Sequence, residues 1–154
     1  FRLKVLVIPD RLAETIPRRL ERECSLIPRR AFFRLPWGQV SDPGSRFENM
    51  VACQLLKYCH FLEDTQGYRM DLRFIRDIDK REVDFVVLRD KKPLFAVEAK
   101  TGAKALSKHI PYFTSRNVVP KIYQVHLHAR EQLYPEVNAH LLPWIKFCEI
   151  MSMP

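Results

Sequence analysis

At 154 residues the chain is long enough to bury one continuous core, and it suits a single domain. It holds no run of eighteen apolar residues, so no transmembrane helix is indicated; no secretory leader pattern is evident, and without a GxxxxGK[ST] loop these residues are not expected to bind ATP by that route. A net charge of +8 admits polyanionic partners. Along the chain, a short strand is expected at about residues 3–8 and a helix beginning near Pro17, where proline is tolerated. Residues 1–40 carry nine Lys/Arg against four Asp/Glu, whereas the remaining 114 carry seventeen against fourteen. Arg18, Arg19, Arg29 and Arg30 are therefore candidate phosphate contacts, although Glu21 and Glu23 also fit an ordinary solvated helix face. Ile27-Pro28 and Leu35-Pro36 mark irregular chain, and residues 37–44 read as a loop leading to a helix at about 45–60. Ser45-Arg46-Phe47-Glu48 has the form of a capping box, and Phe47, Val51, Leu55, Tyr58 and Leu62 recur at helical spacing. Strands follow at about 68–76, 82–89 and 93–100, then a helix near Pro111 within 104–116 and a strand at 121–127. Residues 144–150 suit a helix or a strand equally.

The most informative segments are Glu82-Val83-Asp84-Phe85-Val86-Val87-Leu88 and Phe95-Ala96-Val97-Glu98-Ala99-Lys100. Asp84 and Glu98 are separated by thirteen residues, and a turn centred near Lys91 sets them opposite each other on antiparallel strands. Alternation then directs Lys100 to the face of Glu98. One face is expected to carry Val86, Leu88, Leu94 and Ala96 beside the charged trio, the other Val83, Phe85, Val87, Phe95 and Val97. Two acids in strands apolar on both faces are costly unless a cation or hydrogen bonds compensate them. A divalent metal with a phosphate, or an internal ion pair of Lys100 with Asp84 or Glu98, satisfies that requirement.

An acid followed after a gap by Glu-x-Lys in a second strand resembles the PD-(D/E)XK superfamily of restriction-endonuclease-like phosphodiesterases, with Val83 where the name has proline. The series Gly44-Ser45-Arg46-Phe47-Glu48-Asn49-Met50-Val51-Ala52, Arg76-Asp77, Glu82-Val83-Asp84-Phe85-Val86 and Val97-Glu98-Ala99-Lys100-Thr101 looks like the C-terminal domain of a prokaryotic group of AAA-type ATPases. The likeness spans about residues 32–154, with residues 1–31 a basic segment that can belong to a preceding domain. The resemblance implies an α/β, restriction-endonuclease-like core of order α-β-β-β-α-β, a mixed central sheet flanked by helices, and an ATPase module upstream of this chain. It implies catalytic roles for Asp84, Glu98, Lys100 and Glu48, with Asp84, Glu98 and Glu48 holding Mg²⁺ or Mn²⁺. Gln124, on the following strand, is a candidate accessory residue. The function expected is metal-dependent hydrolysis of phosphodiester bonds in DNA. The alternative is a docking module for nucleic acid or protein that keeps the nuclease fold without its chemistry.

Cys24, Cys53, Cys59 and Cys148 lack zinc-like spacing and read as buried free thiols of a reducing, cytoplasmic setting. His126 and His128 have no third ligand near them in sequence, and His60, His109 and His140 offer still less.

Overall fold

The computed structural model describes residues 4–7, 41–77, 79 and 81–153. The helix expected near Pro17, Cys24 and Arg18, Arg19, Arg29 and Arg30 lie outside the described residues. The elements run in the order β1 (Lys4–Val7), α1 (Pro43–Gln66), β2 (Met70–Arg76), β3 (Glu82–Arg89), β4 (Lys92–Ala99), α2 (Ile110–Ser115), β5 (Ile122–His126), β6 (Gln132–Tyr134), a 3₁₀ turn (Pro135–Val137), β7 (Ala139–Pro143) and α3 (Trp144–Ile150). The strands form one mixed sheet in the order β1-β2-β3-β4-β5-β7-β6. β1 to β4 pair antiparallel in sequence, β5 lies parallel to both β4 and β7, and β6 closes antiparallel on β7.

α1 starts earlier than the capping-box pattern predicts. Asp42 is its N-cap, accepting from the N–H groups of Gly44 (3.3 Å) and Ser45 (3.0 Å), and Pro43 takes the first helical turn, where its missing N–H costs nothing. The Ser45 hydroxyl donates to the same carboxylate. Glu48 is thereby displaced into the second turn and is not a capping residue. The helix continues to Gln66 and ends on Gly67, whose φ of 69° closes the last turn through its N–H to the Glu63 carbonyl. Its apolar stripe of Phe47, Val51, Leu55, Tyr58 and Leu62 is buried as expected.

Two apolar layers cover the sheet. On the α1 and α3 side, Phe47, Val51, Leu55, Phe85, Val87, Phe95, Val97, Tyr123 and Phe147 pack together. On the α2 side, Val83, Val86, Leu88, Ala96, Ile110, Phe113 and Ile122 form the second layer. Two residues therefore exchange the faces expected of them: Val83 joins the α2 layer and Leu94 packs against the α1 layer. The cause is a pair of register shifts, one in the β2–β3 ladder between Arg73 and Ile75 and one in the β3–β4 ladder beside Leu88. Each places two residues of one strand against one of its neighbour, which breaks strict alternation.

Residues 144–150 are helical, and Trp144 stacks on Phe147 (ring centroids 5.4 Å apart). Pro111 opens α2, a helix of only six residues that starts at Ile110, inside the region expected for it. β6 and β7, which carry no strand signal of their own, complete the sheet beyond β5.

Candidate functional site: paired carboxylates and a lysine

The site is built by the β3–β4 hairpin. Asp90 and Lys91 form its two-residue turn with φ of 51° and 66°, left-handed conformations that match the twist of the flanking strands. Arg89 pairs with Lys92 and Leu88 with Pro93, but Val87 pairs with Phe95, so Leu94 is left over. That bulge resets the ladder, and Phe85 then lies opposite Val97. The next step along both strands sets Asp84 opposite Glu98. On its other side Asp84 lies in the second bulge: Arg73 pairs with Val86 and Ile75 with Val83, so Asp84 and Phe85 share the place of Phe74.

At this point side chains take over from the backbone ladder. The Ala99 N–H donates to Asp84 Oδ2 at 2.8 Å, and the Asp84 N–H points to Glu98 Oε2 at 3.4 Å. Lys100 follows directly on β4; its N–H donates to the Val125 carbonyl at 2.9 Å, while its Nζ lies 2.6 Å from Glu98 Oε1. Glu98 is only 4% exposed, whereas the Lys100 side chain is 36% exposed, so the lysine links a buried carboxylate to the surface. The structure thus brings Asp84, Glu98 and Lys100 together as the strand spacing predicts.

Burial drives the Asp84 carboxyl up to about 8, and Glu98 adds to that rise; Lys100 and the Ala99 N–H oppose it, and Glu48 contributes a small further rise. Burial is also the largest single influence on Lys100, working against its charge. Glu98, Asp84 and Glu48 together outweigh it and hold the ammonium above its ordinary range. Glu48, half-buried on α1, therefore feels both groups electrostatically. Among the described residues no three His, Cys, Asp or Glu side chains are grouped to hold a metal ion.

Glu82 was not singled out from the sequence. It is half-buried, 3.7 Å from Arg76, and burial raises its pKa while Arg76 lowers it; Glu98 and Lys100 act on it in opposite senses. Its position two residues before Asp84 on the same strand was the available signal.

Gln124 is paired with Glu98 across β4 and β5 and is fully buried. Its amide is engaged away from the carboxylates: Oε1 accepts from the Ser107 N–H (2.7 Å), and Nε2 donates to the carbonyls of Ala105 (3.1 Å) and Lys104 (3.4 Å). It holds the loop after Lys100 against the sheet. His126 is buried with Nδ1 accepting from the His128 N–H (3.1 Å). Among the described cysteines Cys59 is buried, Cys148 half-buried and Cys53 exposed, which corrects the expectation that all are buried.

A mixed α/β sheet domain with a buried glutamate, a half-buried aspartate and a lysine at one end of its central hairpin is the class these features define. The chain belongs to the family described as a domain of unknown function, DUF4143, which matches residues 43–146. No curated protein and no solved structure matches the chain. Among the described residues, no helix is long and apolar enough to cross a membrane.

Proposed function

We propose that this domain hydrolyses phosphodiester bonds in DNA with the help of Mg²⁺ or Mn²⁺, in a restriction-endonuclease-like core. The observation that carries the reading is the double bulge of the β3–β4 hairpin, which sets Asp84 against Glu98 with Lys100 alongside. Hard carboxylate oxygens in a half-enclosed, partly neutralised cluster suit a small divalent cation. When bound, such an ion supplies Lewis acidity toward the scissile phosphate and a more acidic water. The chain's own residues do the rest. The Ala99 N–H fixes one oxygen of Asp84 and leaves the carboxylate's orientation defined. Glu98 supplies the second acid from the adjacent strand, and Glu48 adds negative potential from α1. Lys100 stays protonated at neutral pH, because its pKa is raised, and so serves as a fixed cation offsetting charge on the phosphate in the transition state. By the family resemblance, an AAA-type ATPase module precedes this domain.

The 2.6 Å Glu98–Lys100 contact favours a second reading, a closed ion-pair network in a docking module for nucleic acid or protein. Nicking of supercoiled plasmid in Mg²⁺ or Mn²⁺ by the parent, Asp84→Asn and Lys100→Ala separates the two. Cleavage by the parent alone is the expected result. No cleavage, or cleavage retained in both variants, overturns the nuclease reading. Melting with Mn²⁺ gives a binding readout independent of turnover: the parent is expected to rise in Tm, and Asp84→Asn is not.

A further inference from the structure

We infer that the loop 101–109, latched across the sheet end by Gln124 and Arg130, is the docking surface for the phosphate backbone of DNA. The choice of partner rests on the phosphodiester reading of Asp84, Glu98 and Lys100, but the surface is defined by independent features. Between Glu98 and Glu131 the chain holds no Asp or Glu and six Lys/Arg: Lys100, Lys104, Lys108, Arg116, Lys121 and Arg130. By contrast, residues 41–98 are nearly balanced at ten basic and eleven acidic, and 131–154 hold one basic and three acidic. The positive surplus of residues 41–154 is thus concentrated in the segment that leaves the carboxylate pair.

The fold then places this charge. Gln124 is the strand neighbour of Glu98, about 5 Å away by the strand spacing, so the loop bonded to its amide is anchored on the strand beside the acids. Its three hydrogen bonds turn the main-chain groups of Lys104, Ala105 and Ser107 inward, while the side chains of Lys104, Lys108 and His109 are exposed. From the other side the Arg130 guanidinium donates to the Ala103 carbonyl at 3.3 Å. Arg116 and Lys121 are applied to the rings of Tyr112 (3.8 Å) and Tyr123 (4.9 Å), whereas Lys104 and Lys108 are exposed on the loop. A rigid basic rim beside a recessed acid pair suits a chain of phosphates whose one member must reach the acids. It reads no sequence.

The test is fluorescence anisotropy of a labelled DNA duplex with the full chain in EDTA, where cleavage cannot interfere, across a salt series. Lys104→Gln/Lys108→Gln is expected to weaken binding at least tenfold and to flatten the log Kd against log salt slope by about two, one per lost phosphate contact. Lys91→Gln/Lys92→Gln removes the same charge from the turn at the far end of the hairpin and is expected to change affinity less than threefold. Gln124→Met keeps every charge but frees the loop, and is expected to weaken binding threefold or more with unchanged far-UV dichroism. Equal losses in the two double variants, or no binding by the parent at low salt, overturn the inference; parent-like binding by Gln124→Met removes the latch. Binding without plasmid nicking sinks only the nuclease reading. Nicking with affinity indifferent to Lys104 and Lys108 sinks only the docking surface.

Discussion

Replacing Lys100 by methionine keeps its aliphatic stem and removes its charge, which isolates the ammonium's effect on the buried Glu98. At the 2.6 Å separation the pair's attraction is about 6 kcal/mol at an effective dielectric of 20. Burying Glu98 offsets most of that, and the 36% exposure of Lys100 weakens it further through solvent screening, leaving a net cost of about 2 kcal/mol for Lys100→Met. For a chain of this size that corresponds to a fall in Tm of about 4–8 °C. Glu98→Gln is expected to cost less than about 1 kcal/mol, since the amide oxygen still accepts from the Asp84 N–H and a buried charge is removed. In the Glu98→Gln background, Lys100→Met then costs little. Urea unfolding followed by tryptophan fluorescence suits the measurement, because Trp144 is 8% exposed and stacked on Phe147. Two identical Lys100→Met costs, with and without the Glu98 carboxylate, refute the coupling on which the site's electrostatics rest.

Two further outcomes follow from features elsewhere in the same structure. Asp84 titrates at about 8 in the folded chain against an ordinary 3.8, so its stabilising contribution is full below pH 4 and disappears as pH rises through 8. Metal-free protein is therefore expected to lose stability across that window, at up to about 1.4 kcal/mol per pH unit, and Asp84→Asn to flatten the decline; parallel curves for the two proteins contradict the burial argument. Asp42→Ala removes the cap of α1 and is expected to cost about 1 kcal/mol in urea titration, whereas Ser45→Ala, which leaves the Asp42 carboxylate on the helix N–H groups, costs less. The reverse order restores Ser45 as the cap.

The central hairpin was legible because its information is local: two apolar runs, each with an acid, and a turn of suitable length between them. The α1 stripe was legible for the same reason, through helical periodicity. The start of α1 was not, because Asp42-Pro43-Gly44-Ser45 offers two competent caps three residues apart, and only the folded chain selects between them. The strands β6 and β7 were missed on different grounds. Gln132–Tyr134 is too short to show a period, and Ala139–Pro143 is an inner strand with a histidine in it and a proline at its end. His140 is accommodated there by Glu131 at 2.9 Å, and Glu131 is also bonded by Lys146. The work of Gln124 was illegible because its partners lie 17 to 20 residues away along the chain, in a loop without periodicity. Val83 and Leu94 changed faces because alternation presumes an unbroken ladder.

The extra residue at Leu94 also insulates the acid pair from the tip of the hairpin. A two-residue turn can pair only positions with an even number of residues between them, and the thirteen between Asp84 and Glu98 make an odd number. Leu94 absorbs the difference. Removing it leaves every cross-strand partnership from Phe95 onward intact, and length changes on the turn side of the bulge can be taken up there as slack. Removing a residue on the site side, such as Val86, has no such buffer and slides one carboxylate past the other. The hairpin is thus divided into a length-tolerant outer half and a length-critical inner half, with the boundary at a single leucine.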